Sequence, residues 1–203
     1  MNWELVGKGL RDPWKAYRVG RMLLRGYYYR LKYRLLRKNV HIGRNFKVVK
    51  KLSINGPGKV IIGDNVVVDG TSHAVTPWTA NADAEIIIGN NTFLNGTRFG
   101  CARRIEIGEN CILADCRILD TDFHSIYPDR RNDPDAVESA PIKIGNNVWI
   151  ALGCVILKGI VIGDDSTIAA QSVVYGDVPE GTVYGGNPAV LIKKIPEDRR
   201  GHV

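Results

Sequence analysis

The chain can be read in sixes from residue 144, as Ile144-Gly-Asn-Asn-Val-Trp, Ile150-Ala-Leu-Gly-Cys-Val, Ile156-Leu-Lys-Gly-Ile-Val, Ile162-Gly-Asp-Asp-Ser-Thr, Ile168-Ala-Ala-Gln-Ser-Val and then Val174. Six aliphatic residues therefore stand at a period of six. An amphipathic helix repeats every ~3.6 residues and an ordinary strand every ~2, so a sustained six predicts short strands joined by turns that recur at a fixed angle. Three sixes would close one triangular coil.

Pairs of Ile and Gly test this interpretation, because a feature on one side of such a coil returns after about 18 residues. Gly145 and Gly163 are 18 residues apart. The earlier pairs contain Gly43, Gly63, Gly89 and Gly108, at steps of 20, 26 and 19 residues. The next step, to Gly145, is 37 residues, which equals one coil plus an insertion of 19 residues that contains His124. The repeat therefore covers residues 39–193, with an inserted loop around residues 120–143.

Each position of a six has a predicted environment. The aliphatic residue points into a narrow prism and stacks on its equivalents in neighbouring coils. Asn and Asp fit the turns, since they tolerate left-handed backbone geometry. Small side chains repeat well at the fifth place, which Cys111, Cys154, Ser166 and Ser172 occupy in their sixes. The cysteines, which also include Cys101 and Cys116, are predicted to be buried thiols, because no CxxC pair indicates a zinc site or a disulfide framework.

Positive charge is concentrated in the first quarter of the chain. The 203 residues are 44% hydrophobic and carry a formal net charge of +7. Residues 1–51 hold 15 Lys and Arg against 2 acidic residues, a balance of +13, so the other 152 residues hold 13 against 19, a balance of −6. This asymmetry favours an anionic membrane surface, nucleic acid or an acidic ligand as a partner of the basic segment. No run of about 18 apolar residues and no signal-peptide pattern occurs, so we expect a cytoplasmic location.

Residues 1–38 are predicted to form a basic amphipathic helical segment, in which Pro13 opens a helix. Its apolar stripe consists of Trp14, Tyr17, Leu24, Tyr28, Leu31 and Leu35, and its basic residues include Arg18, Arg21, Arg25, Lys32 and Lys38. Two interpretations stay open, a cap over the first coil, which repeat ends need, and contact with a membrane interface. We expect both: the stripe partly caps the coil, and the basic residues draw the protein to the inner face of an anionic membrane. No nucleic-acid module accompanies the segment, so nucleic acid is not expected as a partner.

The stretches Ile-Gly-Asn-Asn-Val-Trp-Ile at 144–150 and Gly-Gly-Asn-Pro-Ala at 185–189 resemble the hexapeptide-repeat acetyltransferases of the galactoside and maltose acetyltransferase type. The resemblance covers residues 40–195 and is strongest for members that O-acetylate exopolysaccharide and lipopolysaccharide sugars. It implies that the coil is left-handed, so the predicted fold is all-β, a left-handed parallel β-helix of hexapeptide repeats with a short basic N-terminal helical segment before it and residues 194–203 as a C-terminal tail. It also implies a homotrimer with active sites between subunits, acetyl-CoA as acyl donor and a sugar or glycan as acceptor.

The resemblance assigns roles to residues of the acceptor side. Counted from the Ile-Gly pairs, the family's catalytic histidine falls at His124 and its acceptor-binding asparagine at Asn95. Asp122 or Asp120 would accept a hydrogen bond from the other ring nitrogen of the histidine and fix its tautomer. An acidic acceptor-binding residue of the family maps near Ala102, so we expect a different grip on the acceptor.

The resemblance also assigns a coenzyme-binding set. It consists of Trp149, Ala151, Leu152, Ala170 and Lys193. Tyr175, Gly176 and Val190 stand where the family has a hydroxyl residue and two basic ones, so the coenzyme contacts are expected to differ in detail.

Acyl transfer from a thioester to a hydroxyl needs a base, an arrangement that holds both reactants, and donors for the developing oxyanion. His124 suits the base, since imidazole titrates near neutral pH and the residue lies on a polar loop. We therefore expect an acetyltransferase that moves an acetyl group from acetyl-CoA to a sugar hydroxyl in surface-polysaccharide or lipid-linked glycan biosynthesis. The alternatives are an N-acetyltransferase of an amino sugar nucleotide and a non-catalytic repeat scaffold.

Metal chemistry is not expected. γ-Class carbonic anhydrases share this fold and bind zinc through three histidines. Only His124 has a plausible coil position here, and His41, His73 and His202 are predicted to be surface residues.

Overall fold

The computed structural model of the protein describes residues 12–36 and 39–201. Within these ranges the chain forms one long helix and then a series of short strands that wind into coils. Each full coil contributes one strand to each of three sheets, so the strands of a sheet stack along the coil axis. The predicted parallel β-helix is confirmed.

Three sheets form the sides of the β-helix. The first contains β1 (Val40–Ile42), β3 (Lys59–Ile62), β6 (Glu85–Ile88), β9 (Arg104–Ile107), β12 (Ile142–Ile144) and β15 (Val161–Ile162). The second contains β2 (Lys47–Val48), β4 (Val67–Asp69), β7 (Phe93–Asn95), β10 (Ile112–Ala114), β13 (Trp149–Ile150), β16 (Thr167–Ile168), β18 (Thr182–Gly186) and β19 (Ala189–Lys194). The third contains β5 (Thr76–Thr79), β8 (Arg98–Cys101), β11 (Arg117–Leu119), β14 (Val155–Ile156) and β17 (Val173–Val174). The strands pair in parallel, except that β18 and β19 form an antiparallel hairpin.

The interior of the coils is filled by the aliphatic residues of the sixes. On the first sheet, Ile62, Ile88, Ile107, Ile144 and Ile162 are paired in register from coil to coil, and all five are buried. Burying a side chain of this size stabilises the fold by about 1.5–3 kcal/mol. The inward stacking predicted from the period of six is thus confirmed, and it makes the β-helix a rigid support for its loops.

The corner between the first and second sheets brings successive coils very close together. A Cβ atom on Gly89 would lie 2.5 Å from the carbonyl carbon of Gly108, and one on Gly108 would lie 2.5 Å from the carbonyl oxygen of Gly145. The residue two positions after the glycine of each of the six Ile-Gly pairs has a φ between 52° and 60°. These residues are Asn45, Asn65, Asn91, Asn110, Asn147 and Asp165. Asn and Asp therefore supply the left-handed turn, as predicted.

The four cysteines are buried free thiols, as predicted. Burial raises the pKa of the Cys111 thiol to about 11 and that of Cys116 to about 12. Burial also raises the pKa of Cys101 and of Cys154. Because the thiolate is the reactive form, these side chains act as small apolar residues that fill the prism.

Helix α1 (Pro13–Leu35) begins where the sequence predicts. Asp12 is its N-cap, and the Asp12 side chain accepts a hydrogen bond from the backbone nitrogen of Lys15 at 2.9 Å. No helix in the described ranges is long and apolar enough to cross a membrane.

Helix α1 contacts the first coil through a face that the sequence analysis did not select. Gly26 is buried against the backbone carbonyl of Phe46. The hydroxyl of Tyr33 accepts a hydrogen bond from the backbone nitrogen of Ile54 at 2.9 Å, and the hydroxyl of Tyr29 is 3.4 Å from the backbone nitrogen of Leu52. The helix therefore caps the coil through a glycine and tyrosine hydroxyls.

The expectation that the apolar stripe partly caps the coil is wrong. All of its members are exposed, namely Trp14, Tyr17, Leu24, Tyr28, Leu31 and Leu35. The physical reason is the absence of a side chain at Gly26, which lets the helix backbone approach the coil closely on the opposite face.

Candidate active site

His124 lies on the inserted loop, residues 120–141, which connects β11 to β12 at the corner between the third and first sheets. The loop contains two short 3-10 turns, Pro128–Arg130 and Pro134–Ala136. Together with the turns of the coils beneath it, the loop borders an open cleft of about 820 Å³ that His124 lines. A cleft of this size accommodates a ligand as large as a substituted sugar.

The base of the loop is fixed by Asp120, whose side chain is buried. Its carboxylate accepts hydrogen bonds from the backbone nitrogens of Ala102 at 2.6 Å and Arg103 at 2.8 Å, both in the coil below. Its backbone carbonyl accepts another from the nitrogen of Ala140 at 2.9 Å, where the loop returns. Asp120 thus joins both ends of the loop to the coil, and it has no hydrogen bond to His124 in the described structure.

The residue before His124 is held by packing. Phe123 has a φ of 64°, in the left-handed region, and its ring centroid lies 5.7 Å from that of Trp78. A Cβ atom on Gly100 would lie 2.5 Å from Cζ of Phe123, so the ring rests against the glycine backbone. Phe123 therefore fixes the backbone that presents His124, a role that the sequence analysis missed. Gly100 was the available signal, since a glycine inside a strand indicates close approach of another group.

Asp122 contacts a lysine of the next coil rather than the histidine. Both carboxylate oxygens of Asp122 accept hydrogen bonds from Nζ of Lys158, at 2.8 and 2.7 Å, and Glu138 is 3.5 Å from the same nitrogen. The hydrogen bond with Asp122 raises the pKa of Lys158 above its ordinary value. Among the described residues, no hydrogen bond joins Asp122 to His124, so its assignment as the partner of the histidine stays a prediction. Lys158 was missed, although it is the one basic residue of the repeat at 144–174.

Asn95 lies on a different edge of the β-helix. It ends β7, in register with Asp69 on one side and Ala114 on the other, at the corner between the second and third sheets. It is not among the residues that line the cleft of His124. A single chain therefore does not bring Asn95 to the histidine.

The coenzyme set predicted from the resemblance lies on this same second edge. Trp149 is 51% exposed on β13, and Leu152, 54% exposed, follows in the turn with Ala151. The turn of the next coil contains Ala170 and is joined to the first by a hydrogen bond from the nitrogen of Gln171 to the carbonyl of Leu152 at 2.8 Å. The remaining member, Lys193, lies on β19 opposite Val183. The result is an open edge lined by apolar and small side chains with a lysine beside it.

The remaining histidines lie away from the cleft. His41 is exposed on β1, and Nδ1 of His73 is 3.2 Å from Oδ1 of Asp115. His202 lies outside the described residues. In the part of the chain that the structure describes, no group of three or more His, Cys, Asp or Glu side chains could hold a metal ion.

Coils built from six-residue repeats, with a histidine on an inserted loop over an open cleft, define a protein of the hexapeptide-repeat class. Residues 141–176 match the family model described as bacterial transferase hexapeptide (six repeats). A maltose O-acetyltransferase from Clostridium difficile 630 is 32% identical over 82% of this chain and 75% of its own, with a TM-score of 0.51. The chain belongs to the hexapeptide-repeat transferase family.

Another solved structure matches nearly the whole chain. It is a hexapeptide-repeat-containing acetyltransferase from Vibrio cholerae O1 biovar eltor, complexed with acetyl coenzyme A. It is 25% identical and covers 93% of this chain and 92% of its own, with a TM-score of 0.57. The fold thus agrees with the left-handed parallel β-helix that the resemblance implies.

Two curated relatives carry O-acetyl transfer in their names. The galactoside O-acetyltransferase of Escherichia coli (strain K12) is 39% identical over 98 residues, which are 48% of this chain and 47% of the relative. A second E. coli K12 protein, WbbJ, is named for an O-acetyl transferase role in lipopolysaccharide biosynthesis and is 28% identical over 172 residues, 80% of this chain and 75% of its own. The chain spans about half the length of the first curated relatives it matches.

Proposed function

We propose that this protein is an acetyl-CoA-dependent O-acetyltransferase that acts on a sugar hydroxyl in surface-polysaccharide or lipid-linked glycan biosynthesis. The observation that carries the proposal is the position of His124, which lines an open cleft large enough for a sugar and lies on a loop fixed at both ends to a rigid coil. Membership of the hexapeptide-repeat transferase family and the similarity to proteins named as sugar O-acetyltransferases support it.

In the proposed reaction, His124 takes the proton of the acceptor hydroxyl. The hydroxyl oxygen then bonds to the acetyl carbonyl carbon, the carbon–sulfur bond breaks, and the proton passes from the imidazole to the leaving sulfur. Acetyl-CoA supplies the acetyl group as an activated thioester. General base catalysis of this kind contributes a factor of ~100 to ~10,000 in rate. Phe123 and Asp120 serve the step by holding the loop backbone in place.

The second edge suits a coenzyme with a long, partly apolar arm. Trp149 and Leu152 expose apolar surface there, and Ala170 adds no bulk above them. The ammonium of Lys193 would attract the coenzyme phosphates. These residues are the ones that the resemblance assigns to coenzyme binding.

We further propose a homotrimer. The histidine lies on the edge between the third and first sheets, whereas Asn95 and the coenzyme set lie on the edge between the second and third. A complete site then requires the histidine edge of one subunit to face the coenzyme edge of its neighbour, and a closed cyclic trimer satisfies this requirement three times.

Mixing two inactive variants tests the shared site. His124→Ala removes the base, and Ala170→Tyr blocks the coenzyme edge. Each alone should reduce thiol release from acetyl-CoA at least ~100-fold. In randomly mixed trimers, about one interface in four joins two intact edges, so activity should recover to about a quarter of wild type. If the pair shows no recovery while circular dichroism and light scattering report folded trimers, the site lies within one chain. A fully active monomer of 22.5 kDa would contradict the proposed trimer.

The proposed location is the cytoplasmic face of an anionic membrane, where lipid-linked acceptors are found. Leu24 and Leu31 precede the buried Gly26 and Tyr33 by two positions each, a rotation of about 200° along the helix. Most of the apolar stripe therefore lies on the side of the helix away from the coil, with Leu24 71% exposed, and Leu31 also borders a groove between the helix and the first coil. Helix α1 also carries seven Lys and Arg residues, namely Lys15, Arg18, Arg21, Arg25, Arg30, Lys32 and Arg34.

This two-sided helix suits an anionic bilayer surface. Apolar and aromatic side chains enter the interface, and each Lys or Arg near the surface contributes about 1 kcal/mol. Because α1 lies across the open end of the coil, a trimer with parallel coils would present three such helices at one end. The simultaneous contacts would strengthen binding by avidity.

Vesicle co-sedimentation of the full chain tests the location. We expect binding to vesicles with anionic lipid at low salt, weaker binding at high salt, and little binding to neutral vesicles. The Leu24→Gln/Leu31→Gln variant should bind at least ~10-fold more weakly, whereas the control Val19→Gln, on the helix face that also carries Gly26 and Tyr33, should bind as wild type does. Equal binding of all three proteins, or no binding to anionic vesicles, would contradict the proposal.

A further inference from the structure

Two arginines in the cleft of His124 have no acidic partner in the described structure. The guanidinium of Arg103 donates a hydrogen bond to the backbone carbonyl of Ser139 at 3.3 Å and forms no ion pair. Arg131 is exposed on the inserted loop, directly after its first 3-10 turn, and lines the same cleft. Their positive charges therefore face the space beside the histidine.

The neighbouring Arg104 and Arg130, in contrast to Arg103 and Arg131, pair with acidic side chains. Arg104 pairs with Glu85 and, at 2.9 Å, with Glu106. Arg130 pairs with Asp133 at 2.6 Å and holds the turn of the loop.

Arg103 and Arg131 approach the cleft from different parts of the chain. Arg103 lies in a turn of the coil, where Asp120 accepts a hydrogen bond from its backbone nitrogen, and Arg131 lies on the loop above. Asn132 follows Arg131 and also lines the cleft. Asp83 is the acidic residue among the lining side chains, so the unpaired lining charge is positive overall.

Guanidinium groups recognise phosphate and carboxylate oxygens with two parallel hydrogen bonds. Arg103 and Arg131, with the amide of Asn132 beside them, offer more hydrogen-bond donors than the two oxygens of one carboxylate can accept. This number of donors suits the several oxygens of a phosphoryl or diphosphoryl group. The cleft of about 820 Å³ has room for a sugar and such a group together.

We propose that the acceptor in this cleft is a sugar that carries a phosphate or diphosphate ester. Arg103 and Arg131 bind the phosphoryl oxygens, and this contact places a hydroxyl of the sugar ring next to His124. The inference rests on the proposed acetyl transfer and adds the chemical class of its acceptor. A nucleotide sugar and a lipid-linked sugar diphosphate share this chemistry.

Direct binding to the wild-type protein is the first measurement. Calorimetric titration compares galactose, galactose 1-phosphate, UDP-galactose and galacturonate, and vesicle-embedded polyprenyl diphosphate galactose provides the lipid-linked arm. We expect the phosphorylated sugars to bind at least ~10-fold more tightly than galactose. Arg103→Gln and Arg131→Gln should each lower, by ~10-fold, the ratio of the affinity for galactose 1-phosphate to the affinity for galactose. The control Arg199→Gln, which removes an exposed charge outside the cleft, should keep the wild-type ratio.

The outcomes separate this inference from the proposed function. Equal binding of neutral and phosphorylated sugars, or an unchanged ratio in both arginine variants, overturns the acceptor class even if thiol release shows acetylation of neutral sugars. Tighter binding of galacturonate than of galactose 1-phosphate also overturns it. Arginine-dependent binding of phosphorylated sugars supports it, and the failure of every bound sugar to release thiol from acetyl-CoA would then refute only the acetyl transfer. Preference between UDP-galactose and the polyprenyl sugar identifies the source of the phosphate.

Discussion

Replacing Asp120 with alanine should weaken the fold and the site together. The substitution removes a buried carboxylate that accepts two short backbone hydrogen bonds, from Ala102 and Arg103. A hydrogen bond to a charged group contributes ~1.5–3 kcal/mol, and both backbone nitrogens are partly buried, so we expect a loss of about 3 kcal/mol. For a chain of this length, each kcal/mol lowers Tm by about 2–4 °C, so Tm should fall by about 6–12 °C.

The same variant should lose activity beyond its loss of stability. Asp120 fixes the start and the end of the loop, so without it both His124 and the Arg103 turn would shift. Misplacement by ~1 Å can reduce a rate ~100-fold. Thermal melting followed by circular dichroism and thiol release at 20 °C measure the two effects, with Asp129→Ala, an exposed acid of the same loop, as the control. An Asp120→Ala protein that melts within 2 °C of wild type and acetylates at the wild-type rate would refute this account of the loop.

Three further substitutions give distinct results. Asn95→Ala should weaken acceptor binding with little change in Tm, since Asn95 lies at the coil edge, and a wild-type acceptor KM and kcat would remove its assigned role. Lys158→Met should release Asp122 and Glu138 and loosen the inserted loop. Amide hydrogen exchange around residues 121–138 should then become faster. Unchanged exchange would contradict the importance of the ion pairs made by Lys158. Gly108→Ala should destabilise the stack of coils by more than ~2 kcal/mol, because the added Cβ would overlap the backbone of Gly145. Gly20→Ala is the control, since a Cβ at Gly20 has open space. Equal denaturant midpoints for the two variants would show that the coils can separate at no cost.

The interior and corners of the β-helix could be predicted almost residue by residue. Only a period of six places Ile144, Ile150 and Ile156 on three successive inner sides, and the observed burial of all three follows from that spacing. The left-handed turn at Asn147 likewise follows from residue chemistry. These features are local, since each is set by a few neighbouring residues and repeated by the coil.

The contacts within the site could not be predicted in the same way. Asp122 and Lys158 are 36 residues apart, and they meet because the inserted loop folds back onto the next coil. In the sequence, Asp122 stands two residues before His124, so sequence reasoning predicted the nearby histidine as its partner.

The helix separates most clearly what the sequence determined from what the tertiary structure decided. The sequence determined that α1 forms, where it begins, and that it has an apolar stripe with basic residues around it. The tertiary structure decided which face caps the coil. The first coil presents backbone hydrogen-bonding groups to the helix as well as apolar surface. Tyr33 satisfies one such group, and Gly26 allows the approach that this contact requires. A hydrophobic pattern reports only how apolar a face is, whereas packing also depends on the shape and the hydrogen-bonding groups of the surface it meets.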